Sequence, residues 1–329
     1  MRLTVEPPID RWRLRERPEG DRAVGVIATG HQASLWHPGI LAKYIAMQVA
    51  AQRFGASTKQ VVVDQDAHEA LKLAVPVERN GRLSVVDVQL ADDDSAIPTG
   101  CQPPVDPAKV LATLGSGPPG VAVDAAALID AYTDLPPCTT LAQQTSTVLD
   151  RLMSPYLTPA PKVFASDLLQ MPDAQRWLRR MIDEARVCVT AYNRAVAAHP
   201  EAGVAPLLVE RDRVELPIWL LRWGRPRRRV YADLADSSGG ERLTTADGET
   251  IALDAAGGDL KLAPRAVMLT AVVRTIGCDL FIHGKGGAIY DRVTQQWWQD
   301  WLGEPLAPIV VVSADVELDL DVPMADAAA

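Results

Sequence analysis

The residues most able to do chemistry lie where apolar runs of the sequence end in turns. In the stretch "IATGHQASLWHPGILAKY", residues 27–44, glycine permits close approach of a ligand to the backbone, and polar side chains can hydrogen-bond to it. The candidate residues here are Thr29, Gly30, His31, Gln32, His37 and Lys43. In an open parallel sheet, ligands bind beyond the carboxyl ends of strands and beside helix N-termini, which attract anions. The stretch therefore indicates a small-molecule site, and a capped turn with surface histidines is the alternative.

A second candidate group follows the next apolar run, in "VVVDQDAHE" at residues 61–69. In an extended backbone, Asp64, Asp66 and His68 share one face because side chains alternate with period two. These groups could act as general bases, orient an amine or bind a divalent cation. Acid–base chemistry is favoured, because the spacing is not diagnostic for any metal. Helix capping by one of the aspartates is the structural alternative.

A third group lies in "CDLFIHGKGGAIYDRV", residues 278–293, where another apolar run ends in His-Gly. Glycines in such a turn can expose backbone amides and form an anion-binding nest, to which Lys285 could add charge. The candidate residues are His283, Gly284, Gly287, Tyr290 and Asp291. Arg265, in "KLAPRAV", is a further candidate, either as an anion clamp or in a surface salt bridge.

The elements that must position these groups form a βαβ pattern. A β-branched run at 23–30 is followed by apolar residues at helical spacing up to Gly55, and then by the strand-like "KQVVVDQD". This order predicts a parallel sheet. A further strand is predicted at 82–91. Because parallel strands end on the same side of a sheet, the three groups are expected to meet in one pocket.

The whole chain, 1–329, is predicted to be one α/β domain with a Rossmann-like parallel sheet. Its core is placed at about 20–91 and 260–315, since helix and strand patterns alternate again in the second range. Residues of about 92–259 are predicted to form helical and β-rich insertions, and 316–329 a flexible tail. The three tryptophans of "QQWWQDWLG" occur at helical spacing and are expected to pack in the core.

The composition of the chain limits the classes of molecule that the protein is expected to bind. The net charge of −9 gives no basic field for nucleic acid or an anionic membrane. The basic run "RWGRPRRRVY" at 222–231 is predicted to be a solvated hairpin tip. Four well-separated cysteines, and an N-terminus without an apolar signal region, predict a reduced, soluble, cytoplasmic protein. The expected partner is a small-molecule substrate, and a homo-oligomer is compatible with the sequence.

The motifs "TGHQASLWHPGILAK", "DQDAHEA" and "PRAVMLTAVVRTIGCDLFIHGKGGAIYD" resemble those of the cysteine-adding enzymes of bacillithiol biosynthesis. The resemblance implies a Rossmann-like core and an enzyme that joins an amino acid, cysteine in that family, to the amine of an amino-sugar conjugate. His31 stands where the family has glutamine, and the arginine and proline are reversed around Arg265. The chain is also too short to include the coiled coil expected of that family.

The predicted activity is therefore that of a ligase forming a C–N bond, for which ATP is a candidate cofactor and a divalent cation a less favoured one. His68 or Asp66 is the expected base, Asp64 and Asp66 orient it, and His31 and His283 stabilise an anion. The other candidates named above are expected to bind substrate. A nucleotidylyltransferase of the HIGH-motif superfamily is the alternative enzyme, although that motif spaces its histidines more closely. A non-catalytic small-molecule binding protein is the third hypothesis.

Overall fold

The structure is a computed structural model that describes residues 2–16, 23–35, 37–79, 82–116, 125–234, 242–251 and 260–317. The first elements are β1 (Arg2–Glu6), β2 (Val26–Gln32), α1 (Pro38–Phe54), β3 (Ser57–Val63), β4 (Lys72–Arg79) and β5 (Arg82–Gln89). The next are α2 (Pro107–Ser116), α3 (Ala126–Tyr132), α4 (Leu141–Met153), β6 (Lys162–Phe164), α5 (Pro172–Asp183) and α6 (Ala185–Ala198). The last are β7 (Arg213–Arg222), β8 (Arg228–Asp233), β9 (Arg242–Thr245), β10 (Thr250–Ile251), β11 (Leu260–Pro264), α7 (Ala266–Val272), β12 (Leu280–His283), α8 (Lys285–Leu302) and β13 (Ile309–Asp315).

The largest sheet has six strands in the order β1, β13, β12, β2, β3, β6. All neighbouring strands in it are parallel except β1, which pairs with β13 in the antiparallel sense. The prediction of an α/β protein with a parallel sheet is confirmed at this level. The buried, β-branched runs of β2, β3 and β13 are typical of parallel strands covered on both faces.

Helices α1 and α8 cover opposite faces of this sheet. Ile27 of β2 and Leu280 of β12 pack with the apolar side of α1. The neighbouring Ala28 and Phe281 pack on the other face, in the cluster that contains the α8 tryptophans. The chain passes from β2 through α1 to β3 in one direction, and from β12 through α8 to β13 in the other. The boundary between β2 and β12 is therefore a topological switch point, where open α/β sheets have a ligand-binding crevice.

The ends of α1 follow from local chemistry. His37 is the N-cap, and its Nδ1 accepts a hydrogen bond from the backbone N–H of Gly39 at 3.1 Å. Pro38 occupies the first turn, where its missing N–H costs nothing. Gly55 ends the helix with φ of 61°, a left-handed conformation that favours glycine.

The α8 tryptophans lie in the core, as predicted from their spacing. Trp297 and Trp298 are fully buried and Trp301 nearly so. Helix α7 ends at Val272, and a π-helical turn continues the chain over Val273–Gly277. This turn places Arg274 in the interior beneath α8.

The strand predicted at 82–91 exists as β5 but does not join the parallel sheet. It pairs with β4 in a separate two-stranded antiparallel sheet. The chain leaves the main sheet after Val63, and Leu73 and Val88 of the hairpin pack with α2, α3 and α4 in a small core of their own. Side-chain packing with these helices decides the position of the hairpin, which periodicity cannot indicate.

A five-stranded antiparallel sheet, in the order β10, β9, β8, β7, β11, forms the β-rich part of the chain. Strand β11 lies within the range expected for the core but pairs with β7. Strand β6, within the range expected for the insertions, extends the parallel sheet beside β3. No helix of the described ranges is long and apolar enough to cross a membrane. Residues 318–329 of the predicted tail lie outside the described residues.

Candidate active site

A cavity of about 450 Å³ opens at the carboxyl ends of β2, β3 and β12, at the switch point of the parallel sheet. This volume is in the range of small-molecule sites. The polar or glycine residues that line it are Gly30, His31, Gln32, His37, Gly39, Lys43, Gln65, Asp66, His283, Gly284, Lys285, Gly286, Gly287, Tyr290 and Ser313. We call this cavity the switch-point cleft. Ten of the fifteen residues predicted from the sequence line it.

Lys43 projects into the cleft from α1. The residue is only 5% exposed, and its Nζ donates to the carbonyl oxygen of Gly30 at 2.7 Å. Burial lowers the pKa of Lys43 to about 8. Within the described residues, no carboxylate forms an ion pair with this ammonium group. The cleft therefore contains a buried cation whose charge the described part of the protein does not neutralise.

The N-terminus of α8 forms the opposite wall. Gly284 is its N-cap, and no side chain of the described residues caps the helix. The first-turn amides of Lys285, Gly286 and Gly287 thus border a polar cavity, and the helix dipole adds partial positive charge there. A Cβ atom at Gly287 would come within 2.4 Å of Nδ1 of His283, so the close approach of ring and helix requires glycine. Lys285 lies at the mouth of the cleft, with its Nζ 3.3 Å from Asp315.

His31 reaches the cleft from the end of β2. Burial, with the nearby Lys43 ammonium as the next cause, lowers the pKa of His31 to about 4. The imidazole is therefore uncharged near neutral pH. Its Nδ1 lies 3.3 Å from the carbonyl oxygen of Gln32. In the tautomer that donates from Nδ1 to this carbonyl, Nε2 is a hydrogen-bond acceptor.

His283 ends β12 and is 5% exposed. Its Nε2 lies 3.6 Å from Oδ1 of Asp291. Asp291 is also predicted from the sequence, but it lies behind the cleft wall and does not line the cleft. Burial lowers the pKa of His283, although the carboxylate of Asp291 opposes this effect. Burial also disfavours ionisation of Asp291, but His283 and Arg274 outweigh it and hold the pKa of Asp291 below its usual range.

His31 and His283 approach the cleft from opposite faces of the sheet. His31 follows Ile27 and Thr29 on the α1 face, whereas His283 follows Phe281 on the α8 face. They nevertheless line one cavity, because the cleft lies beyond the strand ends, where the sheet no longer separates its two faces.

Asp66 is the carboxylate that lines the cleft. Its Oδ2 accepts a hydrogen bond from Nε2 of Gln32 at 3.1 Å, and its Oδ1 pairs with the guanidinium group of Arg227. Arg227 also lies over the ring of Trp219, with its Cζ 4.5 Å from the ring centroid. The basic run at 222–231 is thus not wholly a solvated hairpin tip, since Arg227 neutralises a carboxylate of the cleft. Its mixed arginine and proline composition gives no signal for this contact.

Of the predicted residues, Thr29 and Asp64 have structural contacts outside the cleft, and His68 also lies outside it. Thr29 is fully buried, and its hydroxyl donates to the carbonyl oxygen of Ile282 at 2.8 Å. The carboxylate of Asp64 accepts from the backbone N–H of Ser166 at 2.8 Å and from its hydroxyl at 2.7 Å. Burial raises the pKa of Asp64 to about 6. His68 does not line the cleft, and both its ring nitrogens are enclosed.

The common face expected for Asp64, Asp66 and His68 is therefore absent. Strand β3 ends at Val63, so the alternation of an extended backbone does not continue through these residues. Asp66 alone of the three lines the cleft. Gln65 lies between the predicted positions and also lines it, which a strict period of two excludes.

Arg265 likewise lies away from the cleft. Its guanidinium donates to the buried carboxylate of Glu215 at 2.6 Å and lies over the ring of Trp219, 4.0 Å from the ring centroid. The structure thus gives Arg265 an ion-pair partner in the antiparallel sheet. Ser313 of β13 is a cleft residue that sequence reasoning missed, and the run "PIVVVSA" contains no signal that distinguishes it.

Neither the protein-family models nor the curated protein sequences match this chain. The resemblance of its motifs to the bacillithiol enzymes therefore stays a prediction. Within the described ranges, no group of three or more histidine, cysteine, aspartate or glutamate residues is arranged to hold a metal ion.

Proposed function

We propose that this protein is an enzyme that joins the activated carboxyl group of an amino acid to the amine of a small acceptor, forming a C–N bond. The observation that carries the proposal is the buried Lys43 ammonium in the switch-point cleft, without a neutralising carboxylate in the described structure. A buried, unmatched cation is costly, and an anionic ligand would remove that cost. The unneutralised charge of the cleft is positive, because Arg227 already pairs with Asp66.

The anionic part of the substrate would lie between Lys43 and the N-terminus of α8. Carboxylates and phosphates bind well at such helix ends because several N–H groups converge there. Lys43 is within reach, since its Cδ lies 3.8 Å from the position of a Cβ at Gly284. An acyl phosphate or acyl adenylate, made with a nucleoside triphosphate, would present both a carbonyl carbon and a leaving phosphate there.

The amine would lie between the ends of the neighbouring strands β2 and β12, which carry His31 and His283. The neutral ring of His31 can accept a hydrogen bond from an N–H group through Nε2, and the side chain of Gln32 is adjacent. A cationic histidine would instead repel an ammonium group. This changes the role proposed for His31 from anion stabiliser to acceptor of a hydrogen bond from the amine.

The resemblance to the bacillithiol enzymes supports the same reaction class. We also propose that the core is Rossmann-like, a proposal supported by the strand order and by helices on both faces of the parallel sheet. The same anion-binding position, between Lys43 and the N-terminus of α8, favours a second candidate, a nucleotidylyltransferase, because it could hold a nucleoside triphosphate. A third candidate, a binding protein without catalysis, would use this position only to bind its ligand.

The test is to incubate the protein with the twenty amino acids, amino-sugar acceptors and ATP, and to follow ligated product by mass spectrometry and AMP or ADP by chromatography. We expect a product with a new amide bond in the wild type. In Lys43→Met, which keeps the length of the side chain but removes its charge, turnover should fall by about a hundredfold or more. Lys109→Met, an exposed lysine of α2, is the matched control and should retain wild-type turnover.

The outcomes separate the candidates. Nucleotide transfer without a C–N product would favour the nucleotidylyltransferase. Stabilisation by pyrophosphate or acetate that is lost in Lys43→Met, with no turnover of any substrate, would favour the binding protein. Wild-type turnover in folded Lys43→Met would contradict the proposed function.

A further inference from the structure

The buried side chains behind the cleft form a chain of three groups that ends at His283. Arg274 donates from Nη1 to Oδ2 of Asp291 at 2.6 Å, and Oδ1 of Asp291 lies 3.6 Å from Nε2 of His283. The side chains of Arg274, Asp291 and His283 are 3%, 2% and 5% exposed. Only His283 of the three lines the cleft.

We propose that His283 is the base of the switch-point cleft, with Nδ1 as the proton-accepting atom, and that Asp291 and Arg274 are positioning residues that hold its ring. The inference rests on the proposed function for the identity of the proton donor. A carboxylate beside Nε2 favours the tautomer that has its proton on that nitrogen. The lone pair of the ring is then on Nδ1.

The orientation of the ring agrees with this assignment. Nε2 is enclosed on the side of Asp291, whereas Nδ1 lies against the start of α8 at Gly287, a residue that lines the cleft. Phe281 and Tyr290 contact the ring edge to face, with centroids 4.7 and 5.8 Å from that of the imidazole. Packing therefore restricts rotation of the ring.

Arg274 explains how Asp291 stays ionised in the core. Its Nε donates to the carbonyl oxygen of Ala307 at 2.7 Å, and its Nη2 donates to Oε1 of Gln295 at 2.8 Å. All three guanidinium nitrogens thus have partners, and the geometry depends on the π-helical turn that begins at Val273. Buried ion pairs are often replaceable by apolar residues without loss of stability, so this pair is better explained by its position behind a cleft histidine.

In the proposed reaction, an ammonium N–H proton passes to Nδ1 of His283, and the freed nitrogen electron pair forms the C–N bond to the acyl carbon. The bond from that carbon to the leaving phosphate oxygen breaks, its electron pair leaves with the phosphate, and that phosphate takes the second proton that the nitrogen loses in becoming an amide. The imidazolium is stabilised through Nε2–H by the carboxylate of Asp291, which is not itself protonated. Solvent takes the proton from Nδ1 afterwards.

The first test measures the tautomer without any substrate. Protein labelled with ¹⁵N-histidine gives ring signals for its five histidines, and His283→Gln assigns that of His283. In the wild type above pH 7, we expect a protonated Nε2 and an unprotonated Nδ1. In Asp291→Asn this preference should be lost. A wild-type ring with its proton on Nδ1 would overturn the proposal, whatever reaction the enzyme performs.

The second test uses the pH dependence of turnover. The titratable or charged groups acting on His283 are Asp291 and Tyr290 of α8, Lys43 of α1 and Arg274. Loss of the Asp291 charge removes an influence that raises the pKa of His283. We therefore expect Asp291→Asn to move the acid limb of the pH–rate profile to lower pH and to reduce the plateau about a hundredfold or more.

Arg274 is tested by a pair of variants. Arg274→Met should weaken the Nε2–H tautomer of His283, and Arg274→Lys, which keeps the positive charge, should restore it in part.

An unmoved acid limb of the pH–rate profile in folded Asp291→Asn would show that Asp291 is only structural. If the tautomer is as expected but no C–N product forms with any substrate, the proposed function fails while the assignment of the acceptor atom stands.

Discussion

At the scale of single residues, Lys43 shows how a ligand site differs from a structural contact. Its ammonium is buried against one carbonyl oxygen, whereas Asp64, which is equally buried, is fully engaged by Ser166. Both charges cost free energy on burial. The carboxylate recovers part of it from two hydrogen bonds, while two of the three N–H groups of the ammonium have no partner among the described residues and are left for the cleft.

Replacement of Lys43 by methionine should stabilise the ligand-free protein. The pKa falls from 10.5 in the unfolded chain to about 8 in the folded protein, which corresponds to about 3 kcal/mol of destabilisation when both states are protonated. This cost is fully present below pH 8 and is relieved as the pH rises from 8 to 10.5. Urea denaturation should therefore show Lys43→Met as the more stable protein at pH 7, with a smaller difference at pH 10. Lower stability at pH 7 would contradict the account.

At the scale of elements, the N-terminus of α8 is formed by a run of glycines with different requirements. A Cβ at Gly287 would meet the His283 ring at 2.4 Å, whereas a Cβ at Gly286 would meet no atom of the described residues within 4 Å. Gly286→Ala should raise the free energy of unfolding by about 0.5–1 kcal/mol, because alanine loses less backbone entropy in a helix.

Gly287→Ala gains the same helix propensity but displaces a buried ring. We expect the free energy of unfolding to fall by about 1–3 kcal/mol, as measured by thermal or urea denaturation. The two variants differ by one position, so propensity and hydration are closely matched. Equal stability of Gly286→Ala and Gly287→Ala would show that His283 is free to move away from α8.

At the scale of the whole molecule, the cleft histidines and Asp64 give opposite contributions to the dependence of stability on pH. The pKa of His31 is about 4 when folded and 6.5 when unfolded, so the unfolded chain binds the extra proton first and stability falls as the pH drops from 6.5 to 4. The pKa of Asp64 is raised to about 6, so the folded protein binds this proton before the unfolded chain does. Asp64 therefore makes stability rise as the pH drops from 6 to 3.8.

His31→Gln isolates one of these contributions. The variant should lose less stability than the wild type between pH 6.5 and pH 4, by about 1–3 kcal/mol, because glutamine does not titrate. Urea denaturation at several pH values measures the difference. Parallel curves for the wild type and His31→Gln would indicate that His31 is solvated in the folded state.

Local patterns in the sequence were sufficient to predict the features that depend on neighbouring residues. Apolar period and glycine positions predicted β2, α1, β3, β12 and α8, and with them the strand ends that carry His31, His283 and their neighbours. The parallel sheet follows from the same pattern, since a strand, a helix and a strand in close succession leave few other arrangements. The cleft could be anticipated because parallel strands share an end.

Which of these groups face the cleft depends on long-range packing. The chain turns after Val63, so Asp64 packs against Ser166 while Asp66 faces the cavity, and no local pattern distinguishes the two aspartates. Arg227 reaches Asp66 from a sequence separation of 161 residues. Arg274 meets Asp291 through a π-helical turn. Such contacts depend on long-range packing and on the cost of burying charge, which act only once the sheets and helices have come together.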